Sequence, residues 1–121
     1  MKKKTLLVVD DSNLVMARLL PLLQEHENIE YVIHAASYGE AMEILTDIKA
    51  DLILLDINLP GRSGIELLRS IKEKDQTARI SMFTNQASDA YFDLCTKLGA
   101  IHFFDKSKDF DRIAGIISAD T

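Results

Sequence analysis

The segment TLLVVDDSN, residues 5–13, leads an apolar run of four residues directly into two adjacent carboxylates. The run Leu6–Val9 is typical of a buried strand, because a strand covered on both faces is apolar throughout rather than alternating. Asp10 and Asp11 then fall where this strand leaves the core. Two like charges in a poorly solvated place disfavour each other's ionised form, so the pair requires a compensating positive charge.

Four more β-rich runs follow along the chain, separated by segments with helical spacing. They are EYVIHA (30–35), DLILLD (51–56), RISMFT (79–84) and IHFF (101–104). The first strand is expected at 5–10 and the first helix at about 13–25, less regular because Pro21 should kink it.

Apolar stripes predict the other four helices. The stripes are Tyr38, Ala41, Met42, Leu45 and Ile48; Ile65, Leu68 and Ile71; Ala87, Ala90, Tyr91, Leu94, Cys95 and Leu98; and Phe110, Ile113, Ala114 and Ile117. Two of these helices begin with the capping-box sequences Ser37-x-x-Glu40 and Ser63-x-x-Glu66. Alternating strands and helices indicate a parallel sheet with helices on both faces, whose ligands bind at the carboxyl ends of the strands.

Composition restricts the kind of protein. The chain has 121 residues, 47% of them hydrophobic and 27% charged, which suits one domain over 1–121. Its net charge of -5 argues against direct nucleic-acid binding. No apolar run approaches the roughly 20 residues that cross a bilayer, and no signal peptide is recognisable. The single cysteine, Cys95, fits a reducing cytoplasm as a buried inert thiol, and the three histidines have no metal-site spacing.

Polar side chains stand at four of the five strand ends. The first strand ends in Asp10 and Asp11, the third in Asp56 and the fourth in Thr84, and Lys106 follows the fifth. Taken singly, an aspartate here could cap the next helix or turn, and Lys106 could be a surface lysine. Together they predict one pocket in which three carboxylates outnumber one ammonium. That excess of negative charge suits Mg²⁺, which takes few protein ligands and keeps several waters.

In this order and spacing the residues resemble the receiver domains of two-component response regulators over essentially the whole chain. Asp10 and Asp11 look like the acidic pair of that family, and Asp56 looks like its phosphoacceptor. The loop DINLPGRSG (56–64) is similar to the family's loop of Asp, Pro and Gly. The resemblance implies a flavodoxin-like α/β fold, with a doubly wound five-stranded parallel sheet in the order 2-1-3-4-5 and five helices. It is strongest to single-domain, chemotaxis-regulator-like members.

Three further positions match the family. Thr84 matches its hydroxyl position, Lys106 its lysine and Phe103 its switch aromatic. The resemblance implies that Asp56 attacks a phosphohistidine of a histidine kinase or phosphotransfer protein, while Lys106 and Thr84 bind phosphoryl oxygens. Such a domain catalyses its own phosphorylation and dephosphorylation, but it is primarily a signalling protein.

The resemblance also implies the ligands of a Mg²⁺ ion. Asp11, Asp56 and the carbonyl of Asn58 would bind it directly, and Asp10 would act through a coordinated water. Access of water to the phosphoryl group would pass Asn58, Asn85 and Gln86.

Output would leave through the face of helix four, strand five and helix five. In the family, the strand-four hydroxyl moves toward the phosphoryl group and the switch aromatic turns inward behind it. Here that implies movement of Thr84 and then Phe103, read by a downstream protein or by a second copy of the chain. Phe92, off the buried stripe of helix four, would add an apolar contact. The protein would be cytoplasmic, without direct nucleic-acid contact or membrane insertion.

Three departures surround the pocket. Asn85 stands where the family has a small residue, Ser107 where it has proline, and Asp105 where it has an apolar residue. Because a cis bond before a non-proline costs about 3 kcal/mol, the peptide bond between Lys106 and Ser107 is expected to be trans. These departures leave open a degenerate receiver that acts only as a docking module. A haloacid-dehalogenase-type phosphatase is a third reading, but it requires Asp-x-Asp where this chain has Asp-Asp-Ser.

Overall fold

The computed structural model describes residues 3–85 and 87–119. The strands are β1 (Lys4–Val9), β2 (Ile29–Ala35), β3 (Leu52–Leu55), β4 (Ile80–Thr84) and β5 (His102–Asp105). The helices are α1 (Asn13–Gln24), α2 (Tyr38–Asp47), α3 (Gly64–Lys74), α4 (Asp89–Lys97) and α5 (Phe110–Ala119). The strands are parallel and ordered β2-β1-β3-β4-β5, which confirms the predicted doubly wound fold.

The sheet separates two apolar layers, because successive side chains of a strand point to opposite faces. In β1, Leu6 and Val8 pack toward α1 and α5, whereas Leu7 and Val9 pack toward α2, α3 and α4. All four side chains are fully buried, and burial of each contributes about 1.5–3 kcal/mol relative to exposure. The continuous apolar run at the start of the chain is thus explained by helices on both faces of a central strand.

Serine side chains cap the amino ends of four helices. Ser12, Ser37, Ser63 and Ser88 each accept a hydrogen bond from the backbone N–H three residues later. Each satisfies one of the amide donors that a helix leaves without an internal partner. Because Ser12 caps α1, neither Asp10 nor Asp11 serves as the N-cap of that helix.

α1 ends at Gln24, close to the predicted bounds, and it contains Pro21, which is exposed in its last turn. Two of the predicted apolar stripes are wrong at one end. Ile48 lies just beyond α2 in an extended conformation and is 41% exposed, so its place in the buried stripe was wrong. Ala87 precedes α4 and Ala90 is exposed, so the buried part of that stripe begins later than predicted. The spacing of apolar residues does not show at which residue a cap begins or ends a helix.

Cys95 is fully buried in α4, and this burial raises the pKa of its thiol, as expected of an inert core cysteine. Among residues 3–85 and 87–119, no helix combines the length and apolarity needed to span a membrane. The peptide bond between Lys106 and Ser107 is trans, as predicted, like every other one that the structure describes.

Candidate functional site

A cavity of about 450 Å³ opens at the carboxyl edge of the sheet, where β1, β3, β4 and β5 end side by side. Its lining consists of Asp10, Asp11, Ser12, Val15, Asp56, Asn58, Leu59, Pro60, Thr84, Asn85 and Lys106. The five polar residues singled out at the strand ends therefore share one cavity. Sheet topology brings them together, since the carboxyl ends of parallel strands meet at one edge.

The two neighbouring acids face different environments. Asp10 is fully buried, and its Oδ1 accepts a hydrogen bond from Ser12 N at 2.8 Å, whereas Asp11 is exposed. The Asp10 main chain is held by β2: its N–H donates to Ala35 O at 3.0 Å, and His34 Nε2 donates to its carbonyl oxygen at 2.6 Å. The end of β1 is consequently anchored while one carboxylate points inward and the other toward solvent.

Lys106 compensates the buried acids. Its Nζ donates to Asp56 Oδ2 at 3.0 Å and lies 2.5 Å from Asp10 Oδ2. The second contact is an ion pair rather than an aligned hydrogen bond, because Asp10 Oδ2 accepts no hydrogen bond of suitable geometry within the described chain. The ammonium also lies 4.9 Å from the centre of the Phe83 ring. Lys106 is 8% exposed, and the two carboxylates that it contacts, Asp10 and Asp56, are buried as well.

The pKa of Asp56 reflects this burial. Desolvation raises its pKa above the ordinary aspartate value, although the hydrogen bond and the charge of Lys106 oppose the shift and the charge of Asp10 adds to it. Asn58 N also donates to Asp56 Oδ1, at 3.3 Å, and favours the ionised form. In the metal-free protein, Lys106 alone therefore does not offset the desolvation of the Asp56 carboxylate.

The donor set fits a small divalent cation. Asp10, Asp11 and Asp56 each offer a carboxylate oxygen, and these oxygens lie within 4.8 Å of one another. Three carboxylates face one ammonium, and a buried oxygen of Asp10 still has hydrogen-bonding capacity. Hard oxygen ligands with an excess of negative charge favour Mg²⁺ over softer metals.

The loop from Asp56 to Gly64 closes tightly on itself. Gly64 N, at the start of α3, donates to Ile57 O at 2.8 Å, and Gly61 takes a positive φ of 81° that favours glycine. A Cβ on Gly64 would lie 1.8 Å from the carbonyl oxygen of Asp56. Close approach of two backbone segments therefore explains the second glycine of the loop.

The remaining predicted residues occupy two regions. Thr84 is fully buried at the end of β4, next to the exposed Asn85 on the cavity wall. Phe103, in β5, is half-buried and packs edge-on against Phe92, with ring centres 5.8 Å apart. Gln86 lies outside the described residues.

Sequence reasoning missed two residues at this site, Ser12 and His34. Ser12 lines the cavity and caps α1, and its position directly before the helix was an available signal. Gly64 was recognised only as part of the loop pattern, because its close approach to Asp56 and Ile57 depends on how that loop folds back on itself. His34 gave no local signal, since its hydrogen bond to Asp10 depends on the pairing of β1 with β2.

Comparison with known families gives one match to nearly the whole chain. The sequence model described as the response regulator receiver domain matches residues 6–118. Sporulation initiation phosphotransferase F of Bacillus subtilis is 33% identical over 115 residues, which cover 93% of this chain and 90% of that protein. Chemotaxis protein CheY of Halobacterium salinarum is 32% identical, with 96% and 98% covered.

A longer relative and a solved structure extend the comparison. Fimbriae Z protein of Salmonella typhimurium is 31% identical over 93% of this chain, but the chain spans only 54% of that protein's length. The crystal structure of response regulator protein TrrA from Thermotoga maritima, in complex with Mg²⁺-BeF, superimposes with a TM-score of 0.81 at 32% identity. The match covers 96% of this chain and 97% of TrrA.

Proposed function

This chain belongs to the family of response regulator receiver domains, and we propose that Asp56 accepts its phosphoryl group from a phosphohistidine of a partner protein. As a receiver domain, it is a phosphoacceptor signalling domain of a two-component system. The observation that carries the choice of Asp56 is its buried hydrogen bond to Lys106, at 3.0 Å, within a cluster of three carboxylates. Asp10 lies deeper than Asp56, and Asp11 has no ammonium against it among the described contacts.

The reaction is a displacement at phosphorus. An oxygen of Asp56 forms the new O–P bond as the N–P bond of the phosphohistidine breaks, and the bonding electron pair stays on the imidazole nitrogen. Lys106 neutralises charge on one phosphoryl oxygen, and the Thr84 hydroxyl donates a hydrogen bond to another. The donor is a histidine kinase or a histidine phosphotransfer protein.

The cation beside Asp56 is Mg²⁺ in this proposal. Asp11, Asp56 and the carbonyl of Asn58 would hold it directly, and Asp10 would act through a coordinated water. When bound, Mg²⁺ neutralises charge that develops on the transferring phosphoryl group. The Mg²⁺-BeF complex of TrrA, a similar protein, supports the choice of Mg²⁺ as the cation.

The first prediction tests the function itself. Incubation with acetyl phosphate should add one phosphoryl group per chain only when Mg²⁺ is present, and the label should decay over minutes or longer. Intact-mass measurement with Mg²⁺ or with EDTA checks both statements. A chain that stays unlabelled under all conditions would support a docking-only module, while rapid turnover of many equivalents would indicate a phosphatase. The slow decay follows because Asn58, at the cavity wall, is a neutral amide that orients water but is a weak base, and Asn85 crowds the same approach.

Signal output in this proposal runs from Thr84 to Phe103 and leaves through the face of α4, β5 and α5. Phosphorylation draws the Thr84 hydroxyl toward the phosphoryl group, and Phe103 fills the space behind it. Phe92, which is 50% exposed and packs against Phe103, gives this face an apolar contact. A downstream protein or a second copy of the chain reads the change.

The second prediction concerns Thr84→Ala. Beryllofluoride with Mg²⁺ should shift amide resonances of wild-type residues 84–110 far beyond the pocket, because Thr84 couples the pocket to Phe103. Thr84→Ala should bind Mg²⁺ normally but lose most of the remote shifts, whereas Thr84→Ser, which keeps the hydroxyl, should retain them. Two-dimensional NMR of the three proteins measures this. Undiminished remote shifts in Thr84→Ala would show that the coupling follows another route.

A further inference from the structure

The turn after β5 is closed by the side chain of its last residue. Asp105 Oδ1 accepts hydrogen bonds from Ser107 N at 2.8 Å and from Lys108 N at 3.3 Å. The Asp105 carbonyl accepts a third, from Asp109 N at 2.8 Å. Lys106 is therefore enclosed by a turn in which the residue before it binds the three amides that follow it.

Asp109 completes the turn from the other side. Its Oδ2 accepts a hydrogen bond from Asp105 N at 2.8 Å, and its Oδ1 pairs with Arg112 at 2.6 Å in the first turn of α5. Asp105 and Asp109 are thus joined by two hydrogen bonds, one from Asp105 N to the Asp109 carboxylate and one from Asp109 N to the Asp105 backbone carbonyl. Through Arg112, the turn is tied to the start of α5.

Lys106 needs such a constraint for a physical reason. Its side chain is long and flexible, yet the ammonium must lie within 3.0 Å of Asp56 in a buried cavity. Immobilising a lysine side chain costs conformational entropy, so small changes in backbone direction alter how often the ammonium occupies that position. Lys106 N donates to Thr84 O at 3.0 Å. After this hydrogen bond, the direction of the backbone is set by the turn. Ser107 adds no constraint of its own, because it lacks the ring with which proline fixes φ.

We propose that Asp105 is a positioning residue for Lys106: its carboxylate sets the backbone direction that delivers the ammonium to the phosphoryl group. The inference rests on the role proposed above for Lys106. Asp105 itself is not among the residues that line the cavity, so it acts through the backbone rather than by contact with the phosphoryl group or the cation. An acid at position 105, where the family has an apolar residue, is then explained by its role in positioning Lys106.

Two binding measurements separate positioning from general damage. Lys106 contacts the phosphoryl group but is not a cation ligand, so Asp105→Ala should weaken beryllofluoride binding at saturating Mg²⁺ by roughly fivefold to tenfold, as expected for two lost hydrogen bonds. The affinity for Mg²⁺ alone should not fall. Asp105→Asn retains the accepting oxygen and should bind beryllofluoride within about twofold of wild type. Asp111→Ala, which removes an exposed acid nearby in α5, controls for the loss of charge.

A double-mutant cycle makes the test specific to Lys106. In the Lys106→Ala background, Asp105→Ala should cause no further loss of beryllofluoride affinity, because there is no ammonium left to position. If the alanine variant does not fold, Asp105→Val provides the same test, since valine suits a strand but cannot accept the hydrogen bonds.

The inference is overturned if Asp105→Ala loses Mg²⁺ and beryllofluoride affinity equally, or if neither Asp105→Ala nor Asp105→Val loses beryllofluoride affinity. It is also overturned if Asp105→Asn binds beryllofluoride as weakly as Asp105→Ala. The same holds if Asp105→Ala weakens beryllofluoride binding as much in the Lys106→Ala background as in the wild type. If Lys106→Ala binds beryllofluoride as tightly as wild type, the proposed role of Lys106 fails, and the positioning role fails with it. An effect of Lys106→Ala without one of Asp105→Ala rejects the positioning role alone.

Discussion

Asp56→Asn should abolish phosphorylation by acetyl phosphate while preserving the fold. The amide has nearly the shape of the carboxylate, and its oxygen can still accept from Lys106, but it is not a nucleophile at phosphorus. Intact-mass analysis in the presence of Mg²⁺ should show no hydroxylamine-sensitive label in this variant. Asp93→Asn, which removes an exposed carboxylate of α4, is the matched control and should label as wild type does. Label at the wild-type level in Asp56→Asn would reject Asp56 as the phosphoacceptor.

The same substitution should raise the free energy of unfolding of the metal-free protein. Because the pKa of Asp56 is raised by burial, the folded state binds its proton more tightly than the unfolded chain, where the pKa is about 3.9. Wild-type stability should therefore fall as pH rises from that value through the raised pKa, and the asparagine variant should lack this component of the decline. Denaturant unfolding in EDTA at several pH values measures the difference. A gap between the two proteins that does not widen with pH would contradict the assigned cause of the shift.

Gly64→Ala should destabilise the protein and suppress its phosphorylation. A Cβ at this position would lie 1.8 Å from Asp56 O, 2.7 Å from Asp56 C and 2.9 Å from Ile57 Cα. All three atoms belong to the backbone, so no side-chain rotation relieves the clash. Either α3 or the strand end that carries Asp56 must move, at a cost of about 1–3 kcal/mol or more. Movement of the strand end would also displace Asp56 from Lys106.

Gly115→Ala supplies the control for that substitution. Gly115 lies in the exposed part of α5, and a Cβ there would meet nothing within 4 Å. Removal of a helical glycine at such a site should stabilise the protein by up to about 1 kcal/mol. Denaturant unfolding and acetyl phosphate labelling of both variants distinguish the two cases. If Gly64→Ala unfolds at the wild-type midpoint and labels normally, the close approach of α3 to β3 does not constrain the site.

Local patterns in the chain were sufficient to predict the elements of the fold. Runs such as Leu6–Val9 have the apolar character of strands covered on both faces, and the stripe from Phe110 to Ile117 has helical spacing. These patterns depend on residues close together in the chain, so a reader of the sequence has all the necessary information. Element ends were less accurate, as Ile48 illustrates, because an end depends on a few caps and on contacts with other elements.

The composition of the site was also predictable, because parallel strands bring their carboxyl ends to one edge. Asp10, Asp11, Asp56, Thr84 and Lys106 could be grouped from their places after successive strands, without coordinates. The family resemblance then assigned roles to them. The substitutions described above test those roles.

Tertiary structure alone decided how these side chains are divided between water and the interior. Asp10 and Asp11 are adjacent and chemically identical, yet only Asp10 is buried against Lys106, because the end of β1 is held by His34 and Ala35 of β2. Likewise, Asp105 looked like an anomaly in the sequence until the turn around Lys106 showed which amides it binds. The sequence by itself determined which groups meet at the edge of the sheet. Their burial, pairing and direction depend on distant segments, whose contacts exist only in the folded chain.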